Sequence, residues 1–341
     1  MLAVFTELKN AQRVRKELSK KDVMHPDFRA VKELDYIYFP ITKSVKIPGS
    51  KVVNTKFEFP LIPKVVTVED LLKKSLTKKE MEILPQSQEI VGKIMVLEIP
   101  ETLKNKEKQI AEAYLKTHIH IDTVVKKSAI HSGIYRTRKV KILAGKKSKE
   151  TIHHENGINL KLHLELVYFS ARTGSERLRV AKQVKKGEEI LVMFSGCAPF
   201  PLVIAKNSPA KSVLGIELNP SGHFYGAENV RLNKLGDKVF LKQGDVREIL
   251  PKLKKKFDRI CMPLPKTAET FLDVTLPYVK KGGMIHLYVF LGKDQIDSTA
   301  KLISKKCKEL RYPVRVLRKI KCGQYSPGWY RVCFDLKLKE K

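Results

Sequence analysis

Cysteine is scarce and badly placed for cross-linking. The five in this 341-residue chain, Cys197, Cys261, Cys307, Cys322 and Cys333, are odd in number and scattered, and none forms a C-x-x-C pair. That spacing argues against a disulfide framework or a zinc ribbon. Long apolar runs are missing too: nothing approaches the ~18 residues of a membrane span. The opening MLAVFTELKN reaches charge too early to be a secretory signal core. The expectation is a cytoplasmic protein with no membrane contact. Acidic residues are in short supply, 36 Asp+Glu against 67 Lys+Arg, which leaves a net charge of +31. A surface that positive attracts polyanions, and nucleic acid is the leading candidate. With 43% apolar residues the chain has enough to build a core, and its length suggests two or three domains.

The first sixty residues read as a small α+β unit, with a basic helix over 8–20 and strands over 36–42 and 53–63. Pro60 and Pro63 make a boundary. A second unit follows: a capped helix from Val68, a strand over 89–100, an amphipathic helix over 101–118 and a basic β-prone stretch over 123–145. The last suits a face laid against phosphates, although a solvated basic strand has the same sequence. Beyond residue 150 an Asn156-Gly157 hairpin signal precedes apolar strands alternating with helical segments. That βαβαβαβ pattern calls for an α/β domain with a parallel sheet covered by helices.

Ligands of such sheets bind beyond the carboxyl ends of the strands. Here one strand runs into Ser195-Gly196-Cys197-Ala198-Pro199, a small-residue turn with proline suited to a first helical position. A second ends in Glu217, placed to accept from two ribose hydroxyls. A third ends in Asp245, placed to accept from an adenine amino group, although a lone acid there is equally a helix cap. The phosphate-binding G-x-G-x-x-G is absent. An adenosine cofactor without a dinucleotide fingerprint favours S-adenosylmethionine, and with the net charge this gives a methyltransferase acting on nucleic acid.

Several short motifs in order then resemble the archaeal and eukaryotic tRNA (guanine-N1)-methyltransferases that modify position 37. They are YRTRKVKILAG, TIHHENG, VYFSARTGSERLRVAKQV, MFSGCAPFPLVIAK, GIELNPSG, GDVRE, ICMPLPK and YSPGWY. The resemblance implies a Rossmann-like catalytic domain over 148–341. It also implies an RNA-binding domain over 62–147 and a domain over 1–61 that docks on the tRNA elbow. It further implies Glu176 as general base, Arg177 as its orienting partner and Arg136 at the guanine O6. The implied cofactor set is Tyr168, Phe194, Ser195, Gly196, Cys197, Glu217, Leu218, Asp245, Val246 and Met262. The implied base-binding set is Arg136, Arg138, Pro263, Leu264, Pro265 and Lys266. The partner is tRNA, held at anticodon stem-loop and elbow by a monomer, and no metal is expected. His153 and His154 read as surface or turn residues, and Cys197 as a packing residue.

Two positions depart from the family pattern. Val192 stands where most members have an acid, and Pro263 where the N-[LP]-P motif has its asparagine. The resulting M-P-L-P is similar to an archaeal subgroup linked to wyosine biosynthesis, some of whose members also methylate carbon 7 of a tricyclic base. Two other readings stand beside methyl transfer: a wyosine-pathway aminocarboxypropyl transferase with the same cofactor, and a non-catalytic tRNA binder with a decayed pocket.

Overall fold

The computed structural model describes residues 1–63, 66–128, 133–264, 266 and 268–340. Two compact units divide the chain, Met1–Leu71 and Leu72–Lys341.

In the first unit, strands Val31–Glu33, Tyr36–Pro40, Leu2–Glu7 and Lys51–Asn54 form one antiparallel sheet in that order. Helix Ala11–Lys20 lays Val14 and Leu18 among Val4, Phe39 and Ile41, a spacing of four that puts both on one face. The strand expected over 53–63 stops at Asn54. Pro60 and Pro63 have no N–H to give a ladder, and Leu61 makes only an isolated bridge to Phe28.

The second unit opens with a four-stranded sheet, Glu89–Val91, Ile94–Leu97, Thr123–Lys127 and Val140–Gly145, packed against helix Glu107–Thr117. Two expected elements are split. The strand over 89–100 is a hairpin turning at Gly92, whose φ is +55°. A Cβ there would lie 2.3 Å from the Ile152 carbonyl oxygen, so only glycine fits. The β-prone stretch over 123–145 is two strands. A hairpin follows, Glu150–Glu155 with Ile158–His163, turning at Asn156 (φ 46°) and Gly157 (φ 77°) as the sequence expects.

The main sheet comprises β1 (Glu189–Met193), β2 (Ser212–Glu217), β3 (Val239–Gln243), β4 (Phe257–Met262), β5 (Val279–Gly292), β6 (Val314–Ser326) and β7 (Trp329–Leu338). Its order is β3-β2-β1-β4-β5-β7-β6, with β7 antiparallel to both neighbours and the other pairs parallel. This is the expected Rossmann-like α/β fold, extended by a β6–β7 hairpin. Alternate residues of β1 serve two cores on opposite faces of the sheet: Ile190 and Val192 pack with helix Pro199–Asn207, Leu191 and Met193 in a core with Leu250, Leu272 and Leu276. Strand order reverses between β1 and β4, which opens a crevice at their carboxyl ends.

Candidate active site at the carboxyl ends of the strands

A cavity of about 410 Å³ lies at those strand ends. Its first wall is the turn after β1. Phe194, Gly196 and Ala198 all take left-handed backbone angles (φ 57°, 56° and 67°), and Pro199 starts the next helix. Non-glycine residues rarely hold such angles, and they cluster at functional turns. Glu217, at the end of β2, is fixed by backbone. Oε2 accepts from the Gly196 N–H at 2.6 Å and Oε1 from the Asn219 N–H at 2.8 Å. Burial raises its pKa, while the amides of Asn219, Gly196 and Leu218 oppose that rise. Asp245, beyond the end of β3, meets both of its readings. It caps helix Val246–Lys252 by accepting from the Arg247 N–H at 2.8 Å, and it lines the cavity. Tyr168, Ser195, Leu218, Val246, Pro263 and Leu264 line it as well.

Glu176 enters from helix Gly174–Ala181 and is only 4% exposed. Arg179 grips it with two bonds, Nε to Oε2 at 2.7 Å and Nη2 to Oε1 at 2.8 Å, and the Tyr288 hydroxyl donates to Oε1 at 2.7 Å. The expected partner, Arg177, is elsewhere. It reaches Glu155 Oε1 through Nε at 2.6 Å and Thr173 Oγ1 through Nη1 at 2.5 Å. Helix geometry explains the correction: residues i and i+3 share a face, whereas i+1 points about 100° away. Arg177 nevertheless lines the cavity, as does Arg136 from a turn where its φ is 51°.

Four further expectations need amending. Arg138 is buried and locked to Glu89, Nη1 to Oε2 at 2.7 Å and Nη2 to Oε1 at 3.3 Å, so it braces the fold and does not face a base. Cys197 and Met262 lie fully buried in the two cores and off the cavity wall. Burial pushes the Cys197 thiol up to about 12. Lys266 is exposed and also off the wall, and Pro265 falls outside the described residues.

Sequence reasoning passed over Arg179, Tyr288, Phe271 and Arg331. Phe271 meets Phe194 edge-on, with ring centroids 4.9 Å apart. Arg331 follows the YSPGWY motif directly. It lines the cavity and donates to the Tyr168 hydroxyl at 3.3 Å, and its buried Nε has no hydrogen-bond partner among the described residues. His153 Nδ1 accepts from the Gly92 N–H at 3.1 Å, a structural role. His286, Cys333 and Asp335 cluster within 4.8 Å, but two guanidiniums already occupy their acceptors, Arg259 on His286 and Arg179 on Asp335.

A parallel sheet with an inserted antiparallel strand, acids after β2 and β3 and a nucleoside-sized cavity at the switch point define a Rossmann-like nucleoside-binding enzyme. Residues 151–316 match the TRM5/TYW2 methyltransferase domain, 68–148 the TYW2 N-terminal domain and 3–48 the tRNA methyltransferase 5 N-terminal domain. Over 338 residues the chain is 34% identical to tRNA (guanine(37)-N(1))-methyltransferase Trm5b of Pyrococcus abyssi, covering 99% of both. The crystal structure of that protein matches with a TM-score of 0.78 over 100% of both chains. The tRNA 4-demethylwyosine(37)-methyltransferase Taw21 of Saccharolobus solfataricus is 34% identical over 250 residues, 73% of this chain and 92% of its own. The complex of aTrm5 with tRNALeu matches with a TM-score of 0.72 at 29% identity, over 99% of this chain and 100% of that one. The chain belongs to the TRM5/TYW2 methyltransferase family.

Proposed function

We propose that the protein transfers a methyl group from S-adenosylmethionine to N1 of guanine 37 in tRNA. The observation that carries this reading is that Glu176 and Arg136 share one cavity with Glu217 and Asp245. The residues suit the cofactor. Glu217 is aimed by two amides and keeps acceptor positions for ribose hydroxyls. The Ser195-Gly196 turn and Gly244 (φ 138°) put bare backbone on the wall, and a cavity of about 410 Å³ is the size of a nucleoside site. Tyr168, Phe194, Leu218 and Val246 supply apolar surface. When bound, S-adenosylmethionine supplies an electrophilic methyl on a sulfonium.

Guanine N1 must lose its proton to become nucleophilic. An ionised carboxylate offers about four acceptor positions. Arg179 and Tyr288 use three of those on Glu176, leaving one for N1–H. As the proton leaves, charge moves to O6, where the Arg136 guanidinium stabilises it. The target base leaves a single-stranded loop, which is cheaper to unstack than a duplex. Parts 1–61 and 62–147 hold the tRNA elbow and anticodon stem-loop through phosphates, and 148–341 does the chemistry. The enzyme works as a cytoplasmic monomer. Carboxypropyl transfer to a ready-made tricycle has no need of an N1 base, so the Glu176–Arg136 pair favours methyl transfer. Pro263 gives the wall no side-chain donor, which reads the base edge loosely and suits carbon-7 methylation of the tricyclic base as a second activity.

The test is single-turnover methyl transfer with Glu176→Gln and Arg136→Ala. Each lowers the rate about 100-fold or more while tRNA affinity holds within about threefold. A near wild-type rate for Glu176→Gln with tRNA bound normally refutes the base assignment.

A further inference from the structure

Arg179 does not belong to Glu176 alone. Its other edge holds Asp335 of β7, Nη1 to Oδ2 at 2.7 Å and Nη2 to Oδ1 at 3.1 Å. Asp335 Oδ1 also meets His286 Nδ1 of β5 at 2.6 Å, and His286 Nε2 meets Arg259 Nη1 of β4 at 2.7 Å. Arginine nitrogens only donate, so His286 Nε2 is the acceptor, the proton sits on Nδ1, and the ring is neutral. Arg259 ends the chain on Glu188, with bonds of 2.8 and 3.2 Å.

Most of these groups are buried, Glu176 4% exposed, Asp335 1%, His286 0% and Arg259 2%, while the Arg179 side chain is 22% exposed. Arg179, Asp335 and His286 are off the cavity wall, and the hydrogen bonds of Arg179 to Glu176 link them to it. Three carboxylates face two guanidiniums and a neutral imidazole, which leaves one negative charge over. Were Asp335 absent, nothing would hold the far edge of the Arg179 guanidinium, and the Glu176 carboxylate bonded to its other edge would lose its fixed plane. Arg136, Arg177 and Arg331 line the same cavity as Glu176, and the Tyr288 hydroxyl and the thiols of Cys333, Cys261 and Cys322 also lie beside these groups. Burial raises the last four, Cys261 and Cys322 to about 12, so they stay protonated at working pH. Burial also lowers His286, in keeping with its neutral ring.

We infer that Asp335 is a positioning residue, which by holding the far edge of the Arg179 guanidinium fixes the plane of the Glu176 carboxylate. This rests on the reading of Glu176 as the base, and it explains why buried charge is kept where apolar residues would cost less.

The experiment is single-turnover 1-methylguanosine formation from about pH 5.5 to 9. It compares wild type, Asp335→Asn, Arg179→Gln and Glu176→Gln, with cofactor and tRNA affinities measured alongside. Asp335→Asn lowers the rate about 10- to 100-fold with both affinities within about threefold, the split expected of a residue that orients the base and binds nothing itself. Arg179→Gln lowers the rate at least as much, because it removes the group through which Asp335 acts. A wild-type rate in Asp335→Asn overturns the inference, and so does a loss that appears in cofactor or tRNA affinity and not in the rate. Should Asp335→Asn fail to fold, Asp335→Glu is measured in its place: a displaced carboxylate lowers the rate on the same reasoning, and a wild-type rate overturns the inference. A Glu176→Gln enzyme at wild-type rate instead sinks the base assignment beneath it.

Discussion

The Gly196 amide donates to Glu217 Oε2 at 2.6 Å across 21 residues of chain, tying the turn after β1 to the acid that ends β2. With the Asn219 amide on Oε1, the carboxylate is oriented by backbone before any ligand arrives. Gln at 217 would set an NH₂ against one of those two N–H groups. Hydrogen bonds to charged groups contribute about 1.5–3 kcal/mol, so Glu217→Gln should weaken S-adenosylmethionine binding roughly 10- to 100-fold. Calorimetric titration measures this. An unchanged affinity for the cofactor would remove Glu217 from its site.

Arg138 makes the opposite kind of prediction. Its side chain is 4% exposed and that of its partner Glu89 14%. Removing one member of a buried pair costs about 3–5 kcal/mol because the other is left uncompensated. Arg138→Ala should therefore lower stability to urea by that amount. A native-like stability with a shallower salt dependence of tRNA binding would instead make it a phosphate contact.

The thiols should be inert while the chain is folded. Burial pushes Cys197, Cys261 and Cys322 up to about 12 and Cys307 to about 11, and it raises Cys333 as well. The thiolate is the reactive form. At about pH 8, a disulfide reagent should label the five cysteines only after urea unfolds the protein. Rapid native labelling of Cys197 would contradict its placement in the core.

Stability should fall early in acid. Burial lowers His153, His163, His223 and His286 below the ordinary 6.5. Below that value the unfolded chain binds protons that the folded chain refuses, so their contribution is complete above about pH 6.5 and is lost as pH falls through the depressed values. Thermal melts should be level from about pH 8 to 7 and drop steadily toward pH 5. A level profile down to pH 5 would contradict the buried neutral rings.

Ser195-Gly196, Glu217 and Asp245 were legible because strand ends, small-residue turns and helix caps leave local signatures. The same locality misled at 53–63, where β-prone residues lack a partner strand, and at 89–100, where Gly92 folds one apolar run into a hairpin. Tyr288 and Arg331 sit in the long β5–β7 pairing, where alternation marks a core and conceals which side chains reach a cavity. Asp335 joins Glu176 from 159 residues away in sequence, a distance no motif spans. The Arg177 assignment failed for a simpler reason, since adjacency in sequence is not adjacency on a helix.

The most direct test of the account is methyl transfer from S-adenosylmethionine, labelled on its methyl group, into tRNA transcripts carrying guanine or adenine at position 37, with the nucleosides then separated. The expected product is labelled 1-methylguanosine from the guanine transcript and none from the adenine transcript. Equal labelling of both transcripts, or no methylated nucleoside from a protein that binds cofactor and tRNA, would contradict it.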